Sequence, residues 1–151
     1  MVSTDEIKSL REETGLSVME CRRALIEAEG DKEKALAILK AKGAAIAAKK
    51  GDRTLGSGAV VSYIHAAGNI GALVELSCET DFVGKNPEFK AVGYDIAMHI
   101  AAMKPEDVGE LLDQPYIKDP SQKVGDLING AVQKFGERTE IRRFVRYSVE
   151  E

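Results

Sequence analysis

The chain has 151 residues, of which 44% are hydrophobic and 30% charged, as expected for one or two small folded domains. Its net charge of −4 argues against a general nucleic-acid binder, because such proteins usually carry a basic balance. No run approaches the roughly 18 apolar residues of a membrane helix, and the acidic, polar start is unlike a secretory signal, so we expect a cytoplasmic protein with no membrane association.

Residues 3–40 are predicted to form a bundle of three short helices, of the size of a UBA (ubiquitin-associated) domain. Two serine–glutamate pairs have capping-box spacing, an aspartate is placed to cap the third helix, and glycines are placed to end the first two. These residues are Ser3 with Glu6, Ser17 with Glu20, Asp31, Gly15 and Gly30. A bundle of this size is typically a docking module.

Val18 and Met19 are neighbours at the start of the second predicted helix, so they cannot both face the same side of a small core. One of them is expected to be exposed on a contact surface, and an unbranched methionine suits an adaptable surface. The alternative is that both side chains fill the core from different sides. The residues alone leave these two possibilities open.

Residues 41–57 are rich in Ala, Gly and Lys and predict a linker. Lys49, Lys50 and Arg53 form a basic cluster in it. A solvated linker face is the preferred interpretation, since no aromatic residues are interleaved to stack on bases, and a phosphate or RNA contact is the alternative. The predicted division is a docking domain at 1–40, this linker, and a core domain at 58–151.

The core is predicted to be α+β, with a small antiparallel three-stranded sheet packed with helices. A hairpin is predicted at 58–77, because a Gly-Asn turn separates two apolar runs. Apolar residues at helical spacing predict helices at 87–103 and 121–135, and residues 115–120 are predicted to cross between them in extended form. A third strand is predicted at 139–149.

The stretch Thr80–Val83 lies in a polar corner between the second strand and the helix that begins at Pro87. Asp81 and Phe82 therefore sit together on a connection of the kind that runs over the surface and often carries function. The alternative is that Phe82 folds back to cap the core, as most phenylalanines are buried.

The last predicted strand carries Arg142, Arg143 and Arg146, which is typical of an RNA-binding patch. Strict alternation predicts Phe144 on the face of Arg142 and Arg146, and Ile141 on the face of Arg143. An edge or interface strand, with arginine stems packed over apolar surface, is equally compatible with this pattern.

Residues for covalent chemistry are scarce. The two histidines do not complete a catalytic triad, and no GxxxxGK[ST] phosphate loop is present, so we expect no enzyme. His65 is predicted to be solvated at a turn, while His99 is predicted to be a satisfied core or rim histidine rather than a contact. Cys21 and Cys78 lie among apolar residues and predict buried free thiols in a reducing compartment. We expect no metal site and no cofactor.

Six stretches resemble the bacterial elongation factor Ts family, in that family's order. They are the opening IKSLREETGLSVMECRRALIEAEGDKEKALAILKAKG, AAKK at 47–50, VELSCETDFVGKNPEF at 74–89, DIAMHIAAMKP at 95–105, QPYIKDPSQKV at 114–124 and the final RRFVRYSVE. The resemblance covers almost the whole chain, and its most specific motifs are TGxxxMxC and ETDFV.

Members of that family are guanine-nucleotide exchange factors for elongation factor Tu in translation. The resemblance therefore implies binding to the GDP form of elongation factor Tu and exchange of GDP for GTP. It implies that Val18 and Met19 dock on the partner's nucleotide-binding domain, and that the region around His99 touches another domain. It also implies that a segment of this chain dislodges Mg²⁺ beside the partner's nucleotide. The matching residues are Thr80, Asp81, Phe82 and Val83.

The chain departs from longer members, which carry a helical hairpin where only residues 106–113 stand here. It also has one core subdomain where the longest members have two. Short members pair, so the resemblance implies a homodimer through the strand Thr139–Val149. The alternatives from other classes are an RNA- or ribosome-associated module that uses the basic residues, and a polypeptide-binding UBA-like adaptor that needs only residues 1–40.

Overall fold

The computed structural model describes residues 1–150, which form an α+β architecture, so the predicted fold class is confirmed. The elements are α1 (Thr4–Thr14), α2 (Val18–Glu27), α3 (Lys32–Lys49), β1 (Ser57–Ile64), β2 (Ile70–Cys78), α4 (Asp81–Gly84), α5 (Pro87–Met103), α6 (Val108–Asp113), β3 (Pro115–Tyr116), β4 (Asp119–Lys123), α7 (Val124–Phe135) and β5 (Glu140–Ser148). Within residues 1–150, no helix is long and apolar enough to cross a bilayer.

Helices α1 to α3 form the predicted three-helix bundle. Both capping boxes are present: the side chain of Ser3 accepts a hydrogen bond from the Glu6 N–H, and that of Ser17 from the Glu20 N–H. The left-handed conformation of Gly15, with φ of 71°, ends α1. The small core consists of Leu10, Leu16, Cys21, Ala24, Leu25, Ala28, Ala35 and Leu39.

Helix α3 continues through Lys49, so the prediction of a linker is wrong for residues 41–49. Alanine and lysine are strong helix formers, and their propensity outweighs the cost of Gly43 in the helix interior. The glycine also allows a close contact with α7, since a Cβ there would lie 2.9 Å from Oε1 of Gln133 and 3.4 Å from the carbonyl oxygen of Asn129. The division of the chain into domains stays a prediction.

The bundle is joined to the rest of the chain mainly where α3 packs on α7. Beside Gly43, Nζ of Lys40 lies 2.9 Å from Oδ2 of Asp126. At the turn between α1 and α2, a Cβ on Gly15 would lie 2.9 Å from Nζ of Lys134. We call this contact between α3 and α7 the bundle–core joint.

The core sheet is three-stranded and antiparallel, as predicted, and its strand order is β1-β2-β5. Helix α5 packs on one face of it, and its buried residues include Phe89, Ile96 and Ile100. The sheet and helices α4 to α7 therefore share one hydrophobic core.

Strand β5 contains a bulge that strict alternation did not predict. Glu75 pairs with Arg143 whereas Leu76 pairs with Ile141, so Arg142 is an extra residue. Ile141 is consequently buried on the helix-covered face, where Phe144 also packs. The prediction that Ile141 shares a face with Arg143 is wrong for this reason.

The other face of the sheet carries no helix in the described part of the chain. We call it the open sheet face, defined by the exposed side chains of Val60, Ile64, Leu73, Val145 and Tyr147. Ser62, Glu75 and Arg143 are polar side chains on the same face, and Oε1 of Glu75 accepts a hydrogen bond of 2.7 Å from Nε of Arg143.

The crossing segment between α6 and α7 is a short hairpin rather than a single extended strand. Strands β3 and β4 pair, so residues 121–123 belong to β4 and the predicted helix begins later, at Val124. An aspartate accounts for the new start, since Oδ2 of Asp126 accepts a hydrogen bond of 2.9 Å from the Lys123 N–H.

Candidate functional site

The corner between β2 and α5 is the most exposed apolar feature of the core. Strand β2 ends at Cys78, and Thr80 is the N-cap of the four-residue helix α4. Its side chain accepts a hydrogen bond of 3.4 Å from the Val83 N–H. Asn86 then caps α5, with Pro87 in its first turn. The predicted strand–corner–helix arrangement is confirmed.

Side chains in α4 point in opposite directions. Phe82 is 86% exposed, so the alternative in which it caps the core is wrong. Val83 is 4% exposed and belongs to the core cluster, so it anchors the corner. Gly84 allows a close approach to β1, because a Cβ there would lie 3.0 Å from the carbonyl oxygen of Gly58. Phe82 thus projects from a helix whose other side is fixed.

Polar contacts hold the corner from two sides. The hydroxyl of Ser57 in β1 donates a hydrogen bond of 2.5 Å to Oδ1 of Asp81. From the connection between α7 and β5, the carboxylate of Glu137 accepts a hydrogen bond of 2.6 Å from the Thr80 hydroxyl. Asp81 therefore has a partner within its own chain and is turned toward β1.

Cys78 lies beneath this corner, and its Sγ donates to the Thr80 carbonyl oxygen at 3.3 Å. Burial, followed by the negative charge of Glu137, raises the pKa of the Cys78 thiol. Cys21 is buried in the bundle, so both cysteines are the free buried thiols that the sequence predicted.

The second exposed apolar feature is the pair Val18 and Met19, in the first turn of α2. Val18 is 48% exposed and Met19 63% exposed, so both side chains face solvent rather than one of them. Leu16 and Cys21 fill the core on either side of the pair. The bundle therefore presents a broader apolar contact surface than residue patterning predicted.

His99 is fully buried, as preferred from the sequence. Its Nδ1 accepts a hydrogen bond of 3.2 Å from the Ile117 N–H, which leaves the proton on Nε2 to donate to Oε1 of Gln114 at 2.9 Å. Burial lowers the pKa of His99, with Gln114 acting in the opposite direction. The neutral histidine thus ties α5 to the hairpin of β3 and β4.

The arginines of β5 are engaged within the chain. Arg143 and Arg142 lie 2.7 Å and 3.7 Å from the carboxylate of Glu75, and Nε of Arg146 donates to the Ala101 carbonyl oxygen at 3.0 Å. These contacts favour the edge-strand interpretation. Arg146 is partly buried, whereas the side chains of Arg142 and Arg143 are 63% and 82% exposed and are not packed over apolar surface.

Several residues that shape the corner were not predicted. Ser57, Glu79 and Glu137 all bond to it or beside it, and Glu137 is 57 residues from Thr80 in the chain. No local pattern connects residues so far apart. The only signal in the sequence was that Glu79 and Glu137 each lie at the end of a predicted element, next to a turn.

Among residues 1–150, no group of three or more His, Cys, Asp or Glu side chains is placed to hold a metal ion. Besides the open sheet face, the arrangement offers two exposed apolar features that stand on helices, Phe82 on α4 and the pair Val18 and Met19 on α2. An α+β protein of this design is suited to binding another macromolecule, with the bundle and the corner as contact surfaces.

Comparison with known proteins identifies the family. A family model described as "Elongation factor TS" matches residues 17–110. The chain is 42% identical to "Elongation factor Ts" of Carboxydothermus hydrogenoformans, over 100% of this chain and 90% of the relative. It is 42% identical to that of Thermotoga neapolitana, over 99% and 98%, and 40% identical to that of Desulforamulus reducens, over 99% and 90%. The chain belongs to the elongation factor Ts family, which makes it a translation elongation factor.

The chain is shorter than these relatives within the aligned region. The alignment with the Carboxydothermus protein spans 196 positions, and the chain has 151 residues, so at least 45 of those positions are gaps in it. An internal segment of the relative is therefore absent here.

Proposed function

We propose that the chain is a guanine-nucleotide exchange factor that binds elongation factor Tu in its GDP form and promotes exchange of GDP for GTP. The observation that carries the proposal is the exposed Phe82 on an anchored corner. Family membership supports it, as does the resemblance of Thr80, Asp81, Phe82 and Val83 to the family's Mg²⁺-dislodging segment. No covalent chemistry is required of this chain.

The proposed mechanism begins with insertion of the Phe82 ring into the partner beside its nucleotide site. Mg²⁺ demands near-octahedral geometry, so small shifts of its ligands weaken its hold on the phosphates. GDP then loses contacts and dissociates faster. By linkage, the factor weakens GDP binding by as much as GDP weakens binding of the factor, and each tenfold effect corresponds to about 1.4 kcal/mol. GTP then rebinds and releases the factor.

The four corner residues have different parts in this proposal. Phe82 is the wedge, and Asp81 assists at its base, where Ser57 now orients its carboxylate. Thr80 caps the short helix, and Val83 anchors it in the core. Of these four side chains, Phe82 is the large apolar one that is exposed.

Val18 and Met19 are proposed to dock on the nucleotide-binding domain of the partner. Their exposure supports this role. For His99, the proposal is indirect contact, because its side chain is fully buried. It holds the backbone of Ile117, whose side chain is exposed and is available to a second domain of the partner.

The missing internal segment is proposed to be the helical hairpin of longer members. Here the short helix α6, Val108–Asp113, connects α5 to the hairpin of β3 and β4, and Asp107 caps it. Contacts that the longer members make through that hairpin are therefore absent from our proposal, and binding depends on the bundle and the corner.

The direct test is stopped-flow release of a fluorescent GDP from elongation factor Tu. We expect acceleration by the wild-type chain, and a maximal release rate about 100-fold lower for Phe82→Ala, since a fully buried phenylalanine is worth up to about 3 kcal/mol. No acceleration by the wild type contradicts the exchange function. Equal acceleration by both proteins contradicts the wedge role of Phe82.

We also propose a homodimer through the C-terminal strand. Strand β5 is an edge strand, and the open sheet face beside it exposes five large apolar side chains, as expected of a surface that pairs with a second copy. Sedimentation at micromolar concentration is expected to show a dimer, which Tyr147→Asp disrupts and the bundle variant Ile26→Asp does not. A wild-type species of 16.4 kDa alone contradicts this proposal.

The proposal includes no direct nucleic-acid contact and a cytoplasmic location. The engagement of Arg142 and Arg143 with Glu75 supports the first point, because it reduces the positive charge available to phosphates. The location follows from the proposed partner in translation. Salt-dependent RNA binding with a slope for several phosphates would favour the ribosome-associated alternative instead.

A further inference from the structure

Two glutamates next to the corner each accept hydrogen bonds from backbone N–H groups in the segment of the other. Oε1 of Glu137 accepts hydrogen bonds from the N–H groups of Glu79 and Thr80, at 3.1 and 3.0 Å. In return, Oε2 of Glu79 accepts a hydrogen bond of 2.5 Å from the Arg138 N–H. Nη1 of Arg53 adds a contact of 3.3 Å to the other oxygen of Glu79. We call this reciprocal arrangement of Glu79 and Glu137 the glutamate clamp.

The clamp sets the start of α4 through Thr80. The hydroxyl of Thr80 donates its single proton to Glu137 at 2.6 Å, which directs its lone pairs toward the N–H of Val83. Hydrogen bonds to an ionised carboxylate are shorter and stronger than neutral ones. Glu137 therefore fixes both the backbone and the capping side chain at the first residue of the corner.

Such a fixed start matters because α4 is only four residues long. A helix this short has no stability of its own, since nucleation is costly and few of its internal hydrogen bonds form. Phe82 gains little from packing on its own chain, as it is 86% exposed. Its position is thus set by the backbone of α4. Any conformational entropy that this backbone keeps in the free protein must be lost when a partner binds.

We infer that Glu137 is a positioning residue for nucleotide exchange, which acts with Glu79 to hold Phe82 in the orientation required for insertion. The inference rests on the proposed exchange function. Glu137 does not touch the partner's nucleotide or metal in this scheme, and it works only through the corner. Removing it should therefore lower the maximal rate of GDP release and leave docking by the bundle intact.

The experiment compares Glu137→Ala, Glu137→Gln and Glu106→Ala in the full chain, by stopped-flow release of fluorescent GDP from elongation factor Tu. Glu106→Ala is the matched control, because it removes one exposed carboxylate at a distance from the corner. We expect Glu137→Ala to lower the maximal rate about tenfold with an unchanged half-saturating concentration, which corresponds to about 1.4 kcal/mol. Glu137→Gln keeps an oxygen for the two N–H groups and is expected to restore most of the rate.

A double-mutant cycle separates positioning from general structural damage. If Glu137 acts only through Phe82, adding Glu137→Ala to Phe82→Ala has no further effect on the rate. An equal loss in both backgrounds overturns the inference, as does a maximal rate unchanged by Glu137→Ala alone. If Glu137→Ala melts much lower than the control, Glu79→Ala, which removes the other carboxylate of the clamp, carries the same test in its cycle with Phe82→Ala.

Amide hydrogen exchange gives a readout that is independent of the partner. In Glu137→Ala, the N–H groups of Glu79 and Thr80 are expected to exchange faster, while those of the central strand β2 keep their protection. The two amide hydrogens could exchange faster in Glu137→Ala while the wild-type chain fails to accelerate GDP release. That outcome would leave the clamp as a structural feature and refute the proposed function. Unchanged protection of both N–H groups would overturn the clamp itself.

Discussion

The chain supports its two exposed apolar features in different ways. Val18 and Met19 stand on the ten-residue helix α2, which is stiffened by its own hydrogen bonds and a capping box at Ser17. Phe82 stands on a four-residue helix that depends on distant parts of the chain for its shape. The first support is local in sequence, and the second is assembled from β1, α5 and the connection between α7 and β5.

This difference suggests a division of labour. A pair of aliphatic side chains on a regular helix face tolerates small changes in docking geometry, and a methionine adapts further. A single ring on a clamped corner is suited to insertion beside a nucleotide, because the rate then depends on the exact position of the ring. A displacement of about 1 Å is enough to lower such a rate. We therefore expect the bundle to govern affinity and the corner to govern the rate of release.

The largest expected effect comes from removing the bundle's contact. The double variant Val18→Ser with Met19→Ser is expected to raise the half-saturating concentration about 100-fold, because each side chain contributes about 1.5 kcal/mol on burial. The maximal rate of GDP release should stay within about twofold of the wild type on the same reasoning. A titration of stopped-flow rates measures both values, and a lower maximal rate with unchanged half-saturation would break the comparison.

A smaller effect is expected from loosening the bundle–core joint. Gly43→Leu places a side chain against Gln133 and Asn129, so α3 and α7 must separate. The bundle surface and the corner then lose their fixed spacing, so binding through one surface raises the effective concentration of the other less. We expect the exchange efficiency, which is the maximal rate divided by the half-saturating concentration, to fall about tenfold. Gly130→Leu is the matched control, since a Cβ at Gly130 meets nothing within 4 Å.

Equal losses of efficiency in Gly43→Leu and Gly130→Leu would show that the joint has no role in exchange. A loss confined to Gly43→Leu, with little change in melting temperature, would support a single bivalent binding unit.

Shape sensitivity gives a sharper comparison of the two features. Phe82→Leu keeps an apolar side chain but loses the flat ring, and we expect a maximal rate about fivefold lower. Met19→Leu exchanges two side chains of similar volume on a tolerant surface, and we expect less than about a twofold change in half-saturating concentration. Similar effects of both substitutions would mean that the corner is no more demanding than the bundle.

Substitution of His99, which lies away from both features, is expected to have the smallest effect on nucleotide exchange. Its effect on stability should be measurable. Its folded-state pKa lies below the ordinary value, so its contribution to stability is full above about pH 6.5 and is lost as the pH falls through the folded-state pKa. His99→Gln is expected to lower the free energy of unfolding by about 1–2 kcal/mol at pH 7, through weaker bonds to Ile117.

Urea unfolding at pH 7 and pH 5 tests this sign. The difference between wild type and His99→Gln should shrink at pH 5, because the unfolded wild-type chain gains a proton there that the folded chain resists. A difference that grows at low pH would contradict a neutral His99 in the core.

Much of the fold followed from short-range patterns. The serine–glutamate pairs placed the starts of α1 and α2, and helical spacing placed α5. The continuation of α3 past residue 40 was missed, because a stretch of Ala, Gly and Lys is compatible with both a linker and a helix. Packing of Gly43 on α7 accounts for its place in the helix, and that contact joins distant residues.

The candidate site shows the same limit. An acid beside a phenylalanine at a strand end was visible in the sequence, and Phe82 is 86% exposed there. Its part in exchange stays a prediction. Glu137 was not predicted, since only folding brings the end of α7 next to the end of β2. The bulge at Arg142 was also missed, because it inserts one residue into an otherwise alternating strand.

The buried thiol beneath the corner has a practical consequence. Cys78 donates to the Thr80 carbonyl oxygen, and both burial and the charge of Glu137 raise the pKa of its thiol. An alkylating reagent can therefore react with it only during moments when the corner opens, because thiolate and access are both needed. The rate of labelling at Cys78 therefore reports how often the corner opens, and labelling of Cys21 reports the opening of the bundle in the same reaction.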